Sequence, residues 1–194
     1  MAATKKISAV LLFVLVNACG NNFPVIHDFK NEDFTLLNAD SAEMNFPSVF
    51  KGKIIVAGFI FTNCPDICPL TTNNMRIIQE KLKELKMGNV EFAAISFDPK
   101  HDTPKVLRDY IRIRKFDTDN WTFFTGNQQV IDSLLKVSEV FAIPSDTSFV
   151  AGEEKVTFIH TDRIMLIDGD LRIRKNYPGS TINIDEIIDD IQKL

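Results

Sequence analysis

The run Lys53-Ile54-Ile55-Val56-Ala57-Gly58-Phe59-Ile60-Phe61 restricts the possible folds more than any other stretch. A strand with one wet face alternates apolar and polar residues. This run is continuously apolar, β-branched and aromatic over strand length, which marks a strand covered on both faces at the centre of a sheet. It leads directly into Thr62-Asn63-Cys64-Pro65-Asp66-Ile67-Cys68-Pro69. Two thiols are thereby delivered to the carboxyl end of a central strand, where open α/β sheets place their sites. Met75, Ile78, Leu82 and Leu85 then recur at helical spacing through residues 70–87, with Gly88-Asn89 as a stop. Because a proline disfavours the α conformation in the residue before it, this helix is expected to begin at Pro69 or just after. The two cysteines then occupy a partly irregular turn at a helix N-terminus, where N–H groups and the macrodipole favour thiolate over thiol.

The remaining elements follow from the same signals. Residues 21–47 read as a tether followed by N-terminal strands packed on the main sheet, with one strand around Asp33 to Leu37; His27, Phe23, Phe29 and Phe34 read there as packing and solvent contacts. Val90 to Phe97 is a second strand. The loop Asp98-Pro99-Lys100-His101-Asp102-Thr103-Pro104 ends it, with Asp102 or Thr103 as helix cap and Pro104 in the first helical turn. Trp121 to Phe124 is a short strand and Gln128 to Phe141 a helix. The polar stretch from Ile143 to Val156 reads as an excursion or hairpin, residues 164–174 as two strands turning at Asp168-Gly169, and Ile184 to Leu194 as a closing helix. This order requires a mixed central sheet flanked by helices.

The first 18 residues carry Lys5 and Lys6, an apolar run too short to span a bilayer, and a small-residue exit, which is the pattern of a secretory signal. Val16-Asn17-Ala18-Cys19 resembles the lipobox of bacterial lipoproteins, in which the cysteine becomes the lipidated first residue of the mature protein. The expected organisation is a lipoprotein signal peptide at 1–18, a tether at 19–25 and one domain at 26–194, facing the periplasm. A hydrophobic content of 45% suffices for the core of such a domain. The net charge of −4, with no concentrated basic patch, argues against nucleic acid as a partner. With Cys19 carrying lipid, Cys64 and Cys68 remain in a compartment where disulfides form. A disulfide across so short a loop would add little stability, so chemistry is the better reason for the pair.

A strand ending in a cysteine pair, a helix, and a terminal β-hairpin with a helix form the layout of the thioredoxin superfamily, although three residues separate the thiols where dithiol oxidoreductases usually have two. The stretch Thr62 to Pro69, the loop Asp98 to Pro104, and His160-Thr161 followed by Leu166-Ile167-Asp168 together resemble the Sco/SenC family of extracytoplasmic copper proteins, from about Phe50 to the C-terminus. The resemblance implies a thioredoxin-like fold with N-terminal strand additions and an excursion before the C-terminal hairpin. It further implies copper, as Cu(I), Cu(II) or both, held by Cys64, Cys68 and His160. Soft thiolates suit Cu(I), imidazole suits both oxidation states, and three ligands leave the metal open for transfer. His160 is placed in the loop before the strand 164–167, where thioredoxins put the proline that faces their dithiol. His101 is the competing histidine, in a loop at the same edge. Three positions depart from the family: Ile159 stands where relatives often carry Asp before the histidine, and Asp162-Arg163 where they are often more apolar.

The implied function is a membrane-tethered metallochaperone, rather than an enzyme, that delivers copper to the CuA site of cytochrome c oxidase. Its partners would be a copper-accepting oxidase subunit and the membrane through its lipid. The alternatives are a thiol:disulfide oxidoreductase working through a Cys64/Cys68 redox dithiol, served by a thioredoxin-like reductant, or a redox or copper sensor. Asp98 is expected to serve capping or the turn, and Asp66 either tunes charge at the site, serves partner docking or is an exposed spacer.

Overall fold

The computed structural model describes residues 23–64, 67–150 and 153–194. Cys19, the signal segment, Pro65 and Asp66 lie outside the described residues. Three short strands come first: β1 (His27–Asp28), β2 (Phe34–Asn38) and β3 (Glu43–Phe46). The apolar run forms β4 (Ile54–Ile60), followed by α1 (Ile67–Glu84), β5 (Val90–Ser96), α2 (Pro104–Arg114), β6 (Trp121–Thr125) and α3 (Gln128–Val137). A hairpin of β7 (Ala142–Val150) and β8 (Glu153–His160) precedes β9 (Ile164–Ile167), β10 (Arg172–Tyr177) and α4 (Ile184–Ile191).

Eight strands form one mixed sheet in the order β1-β10-β9-β4-β5-β6-β2-β3, while β7 and β8 pair apart from it. β4, β5 and β6 run parallel, so α1 and α2 serve as their crossovers, and β9 lies antiparallel along the other side of β4. β4 is therefore flanked on both edges and buried from Ile55 to Ile60. The N-terminal strands extend the sheet at opposite edges, β1 on β10 and β2 with β3 beyond β6. Side chains alternate along β6 and divide the aromatic core: Phe123 packs with Phe116, Trp121 and Tyr110, whereas Phe124 packs with Phe46 and Phe50. Among the described residues, no helix is long and apolar enough to cross a membrane.

Several boundaries differ from expectation: α1 ends at Glu84 rather than at residue 87 and α4 at Ile191 rather than Leu194, and two further differences bear on the site. α1 starts at Ile67, which makes Pro69 its third residue. The first-turn N–H groups have no intrahelical partner in any helix, so a proline there removes no bond. α3 stops at Val137 because Glu139 takes the left-handed conformation (φ 53°), with Val140 N–H donating to the Leu135 carbonyl (2.9 Å) and Glu139 N–H to that of Lys136 (3.2 Å). These are the two bonds of a Schellman stop, here made without glycine. The segment after it is a hairpin in which Ala142 pairs with His160 and Ile143 with Ile159, with a shift of register between Pro144 and Asp146. His160 is thus the last residue of a strand, not part of a loop.

Candidate metal centre

The ends of β4 and β5 are tied together before the first cysteine. Thr62, two residues past β4, donates its N–H to Asp102 Oδ2 (2.9 Å) and its hydroxyl to Oδ1 (2.5 Å). Ser96, the last residue of β5, donates its hydroxyl to Oδ2 (2.6 Å) and accepts from Asp98 N–H (3.1 Å). Asp102 is 1% exposed. Burial pushes its carboxyl up, against the bonds from Ser96 and Thr62 that pull it down. Capping of α2 falls to Thr103, whose hydroxyl accepts from Val106 N–H (3.4 Å). Asp102 is accordingly not a cap but the buried tie that fixes where the cysteine turn leaves the sheet. An acid beside a helix-start threonine reads as a cap in sequence, so nothing local distinguished this role.

From that tie the chain turns, with Cys64 N–H on the Phe61 carbonyl (3.3 Å). Cys68, the second residue of α1, donates its N–H to Cys64 Sγ (3.3 Å), placing a helix-terminal donor on that sulfur. Neither cysteine is in a disulfide. Cys64 is half-buried and Cys68 is buried. Hydrogen bonding to Cys64, and then burial, push the Cys68 thiol far above the ordinary thiol range, so that at Cys68 they outweigh the thiolate preference expected of a helix N-terminus.

His160 arrives from the separate hairpin, held by aromatic packing. Phe158, on the same face of β8, contacts Phe61 beyond β4 and Phe97 beyond β5 (centroids 5.1 and 5.2 Å), and Phe97 contacts the His160 ring (5.1 Å). His160 Nδ1 meets the Thr161 carbonyl at 3.2 Å. A neutral ring donating there leaves its Nε2 lone pair facing the sulfurs, with Cys68 Sγ 3.7 Å away. The imidazole is pushed above its usual range by hydrogen bonding to Cys64, with burial opposing and the Thr161 carbonyl assisting.

The two sulfurs and the imidazole nitrogen lie within 4.8 Å of one another, and this is the metal-type cluster found among the described residues. Thiolate and imidazole bonds of about 2.0–2.3 Å put neighbouring donors roughly 3.5–4 Å apart around one ion. Shifts of under about an ångström would close the three donors on a soft cation. The other histidines are engaged elsewhere: His101 Nδ1 bonds the Asp98 carboxylate (2.8 and 2.9 Å), and His27, in the edge strand β1, bonds Glu32 through Nε2 (3.1 Å).

The SCO1/SenC family model matches residues 27–194. The chain is 35% identical to the SCO1 protein homolog of Bacillus subtilis (strain 168) over 201 aligned residues, covering 99% of this chain and 97% of that protein. The crystal structure of a SCO1/SenC family lipoprotein from Bacillus anthracis str. Ames superposes with a TM-score of 0.74 at 32% identity, covering 87% of this chain and 95% of that one. BsSco, a member of the Sco family of cytochrome c oxidase assembly proteins in which a disulfide switch was identified, superposes with a TM-score of 0.69 at 30% identity, covering 87% and 94%. The sheet and its flanking helices are thioredoxin-like, as in these proteins. With the match running over the whole domain and the identity over nearly the whole sequence, this chain belongs to the SCO1/SenC family.

Proposed function

We propose that this domain is an extracytoplasmic copper chaperone that binds its cargo through Cys64, Cys68 and His160 and passes it to an oxidase subunit, with the CuA site as acceptor. The observation that carries the reading is the convergence of two sulfurs and one imidazole nitrogen within 4.8 Å, drawn from β4–α1 and from a hairpin outside the main sheet. Two thiolates and an imidazole form a donor set suited to copper in either oxidation state. Half-buried Cys64 and His160 leave a side of the site open, which transfer to an acceptor requires. The Thr161 carbonyl holds the ring so that Nε2 is the coordinating atom. Residues 1–18 are proposed as a signal peptide, Cys19 as the lipidated residue and 19–25 as the tether, in keeping with a lipoprotein among the similar structures. The test is copper titration of the reduced domain against a competing chelator, beside Cys64→Ser, Cys68→Ser and His160→Ala. Each variant should lose affinity, and undiminished binding in all three would reject the site.

A second reading draws on the unequal exposure of the two cysteines. As a thiol:disulfide reductase, the domain would attack a disulfide of the acceptor with Cys64, forming a mixed disulfide that Cys68 resolves. The acceptor gains two electrons and two protons, the domain is left with a Cys64–Cys68 disulfide, and a thioredoxin-like reductant restores it. Acceptor reduction that survives His160→Ala while copper delivery is lost would separate the two activities.

A further inference from the structure

His160 belongs to a two-stranded hairpin, while both cysteines belong to the body of the main sheet and α1. Two strands alone are marginal in water, so the ring's position relative to the sulfurs depends on what fastens the hairpin to the body. The aromatic packing of Phe158 and His160 on Phe61 and Phe97 fastens one side. The link Thr161 to Arg163 between β8 and β9 fastens the other with charged groups. Asp162 Oδ1 accepts from the Thr71 hydroxyl (3.0 Å), and Oδ2 accepts from Ser180 N–H (2.8 Å) and Ser180 Oγ (2.6 Å). Arg163 Nη1 donates to the carbonyls of Ser138 (2.8 Å) and Glu139 (3.1 Å), where α3 ends.

We infer that Asp162 is a positioning residue for the copper site, holding His160 at coordinating distance from Cys68 through its bond to Thr71. Thr71 lies three residues after Cys68 on α1, one helical turn away, so the bond runs from the histidine's own link to the helix that carries the second sulfur. The loop after β10 is built around this bond. Asn74 Nδ2, also on α1, donates to the Gly179 carbonyl (2.7 Å). A Cβ at Gly179 would stand 2.4 Å from Asp162 Oδ1 and 2.8 Å from Thr71 Oγ1, a space only glycine leaves open. The carboxylate so held bonds Thr71 and Ser180, while the imidazole Nδ1 has the Thr161 carbonyl as its partner. Its hold on the ring's position therefore runs through the backbone, beside the direct pull of its charge on the imidazole.

The inference rests on the copper reading, and its test separates the two. Cu(II) is titrated into the reduced protein, its Asp162→Ala and Thr71→Val variants, the double variant, and His160→Ala, with affinity, the nitrogen coupling in the electron paramagnetic resonance spectrum and the unfolding midpoint recorded. Groups that orient metal ligands typically change affinity by about 10–100-fold. Asp162→Ala and Thr71→Val should each lower Cu(II) affinity by about tenfold or more and weaken the nitrogen coupling, and the double variant should lose no more than Asp162→Ala alone. Thr71→Val reads the same bond should Asp162→Ala fail to fold. Parental affinity and coupling in the variants, with His160→Ala impaired, would overturn the positioning role and leave the copper site standing. A parent protein that binds copper no better than His160→Ala would overturn both.

Discussion

Asp102 joins two strand ends to the cysteine turn with a single buried carboxylate. Asp102→Ala leaves the Thr62 N–H and the hydroxyls of Thr62 and Ser96 without their acceptor, and should cost about 2–3 kcal/mol in denaturant unfolding, since an unsatisfied buried polar group costs roughly 1–3 kcal/mol. Burial raises its carboxyl, so the folded protein holds this proton more tightly than the unfolded chain. Its contribution is then greatest below the unfolded value of about 3.9 and is lost as pH rises through the folded value, and Asp102→Asn should flatten that decline. At Cys68 the same logic bears on the proposed copper ligation. A thiol raised by its bond to Cys64 and by burial keeps its proton at neutral pH, so coordination at that sulfur would expel a proton. Copper affinity should fall on acidification in titrations between pH 8 and pH 6, and a flat profile would contradict proton release. Cys64, Cys68 and His160 were legible as residue types in one spacing and order, whereas Asp102 and Asp162 were not. Each acts across the chain, on Ser96 and Thr62 or on Thr71 and Ser180, and nothing in the neighbouring sequence encodes such partners.

At the scale of elements, three helices stop without glycine. Lys86 after α1, Lys115 after α2 and Glu139 after α3 all have left-handed backbones (φ 57°, 54° and 53°). A side chain in that region costs about 1–2 kcal/mol, partly offset by the 0.5–1 kcal/mol that glycine loses in chain entropy. Lys86→Gly, Lys115→Gly and Glu139→Gly should each raise the unfolding free energy by about 0.5–1 kcal/mol, measured by urea denaturation. Glycine is the usual signal of such stops, and its absence at residue 139 is why helical periodicity overran the true end of α3. The β9–β10 turn was legible at Asp168-Gly169, but the load on its acid was not. Asp168 accepts from the N–H groups of Asp170 and Arg172 and from the side chains of Arg172 and Arg174. Burial would raise this carboxyl, yet those bonds hold it below the usual range. Its stabilisation is present above the unfolded value of about 3.9 and lost as pH falls through the folded one, so Asp168→Asn should destabilise the protein at pH 7 and soften its acid unfolding.

For the molecule as a whole, the central strand, the crossover helices and the terminal hairpin could be read from periodicity. The separation of the N-terminal strands to opposite edges could not, because short edge strands carry no pattern that names their neighbour. Copper held by Cys64, Cys68 and His160 as proposed would join the hairpin to the body, so copper at a hundredfold excess over its dissociation constant should stabilise the protein by about 2.7 kcal/mol, visible as a rise in melting temperature that His160→Ala diminishes. The first described residue, Phe23, gives its carbonyl to Arg174 (2.5 Å), near the start of β10. Through the pairings Ile173 to Ile167 and Ile167 to Ile55, that position is level with the beginning of β4, whereas Cys64 lies beyond its end. The length of β4, at about 3.3 Å per residue, sets Phe23 on the order of 20 Å from the thiols. With lipid at Cys19, the domain would stand on the bilayer by one end of its sheet and offer its sulfurs from the other. A recipient would then have to present its copper ligands at a matching height above the membrane, and lengthening or trimming the tether would alter delivery while leaving the affinity for copper unchanged.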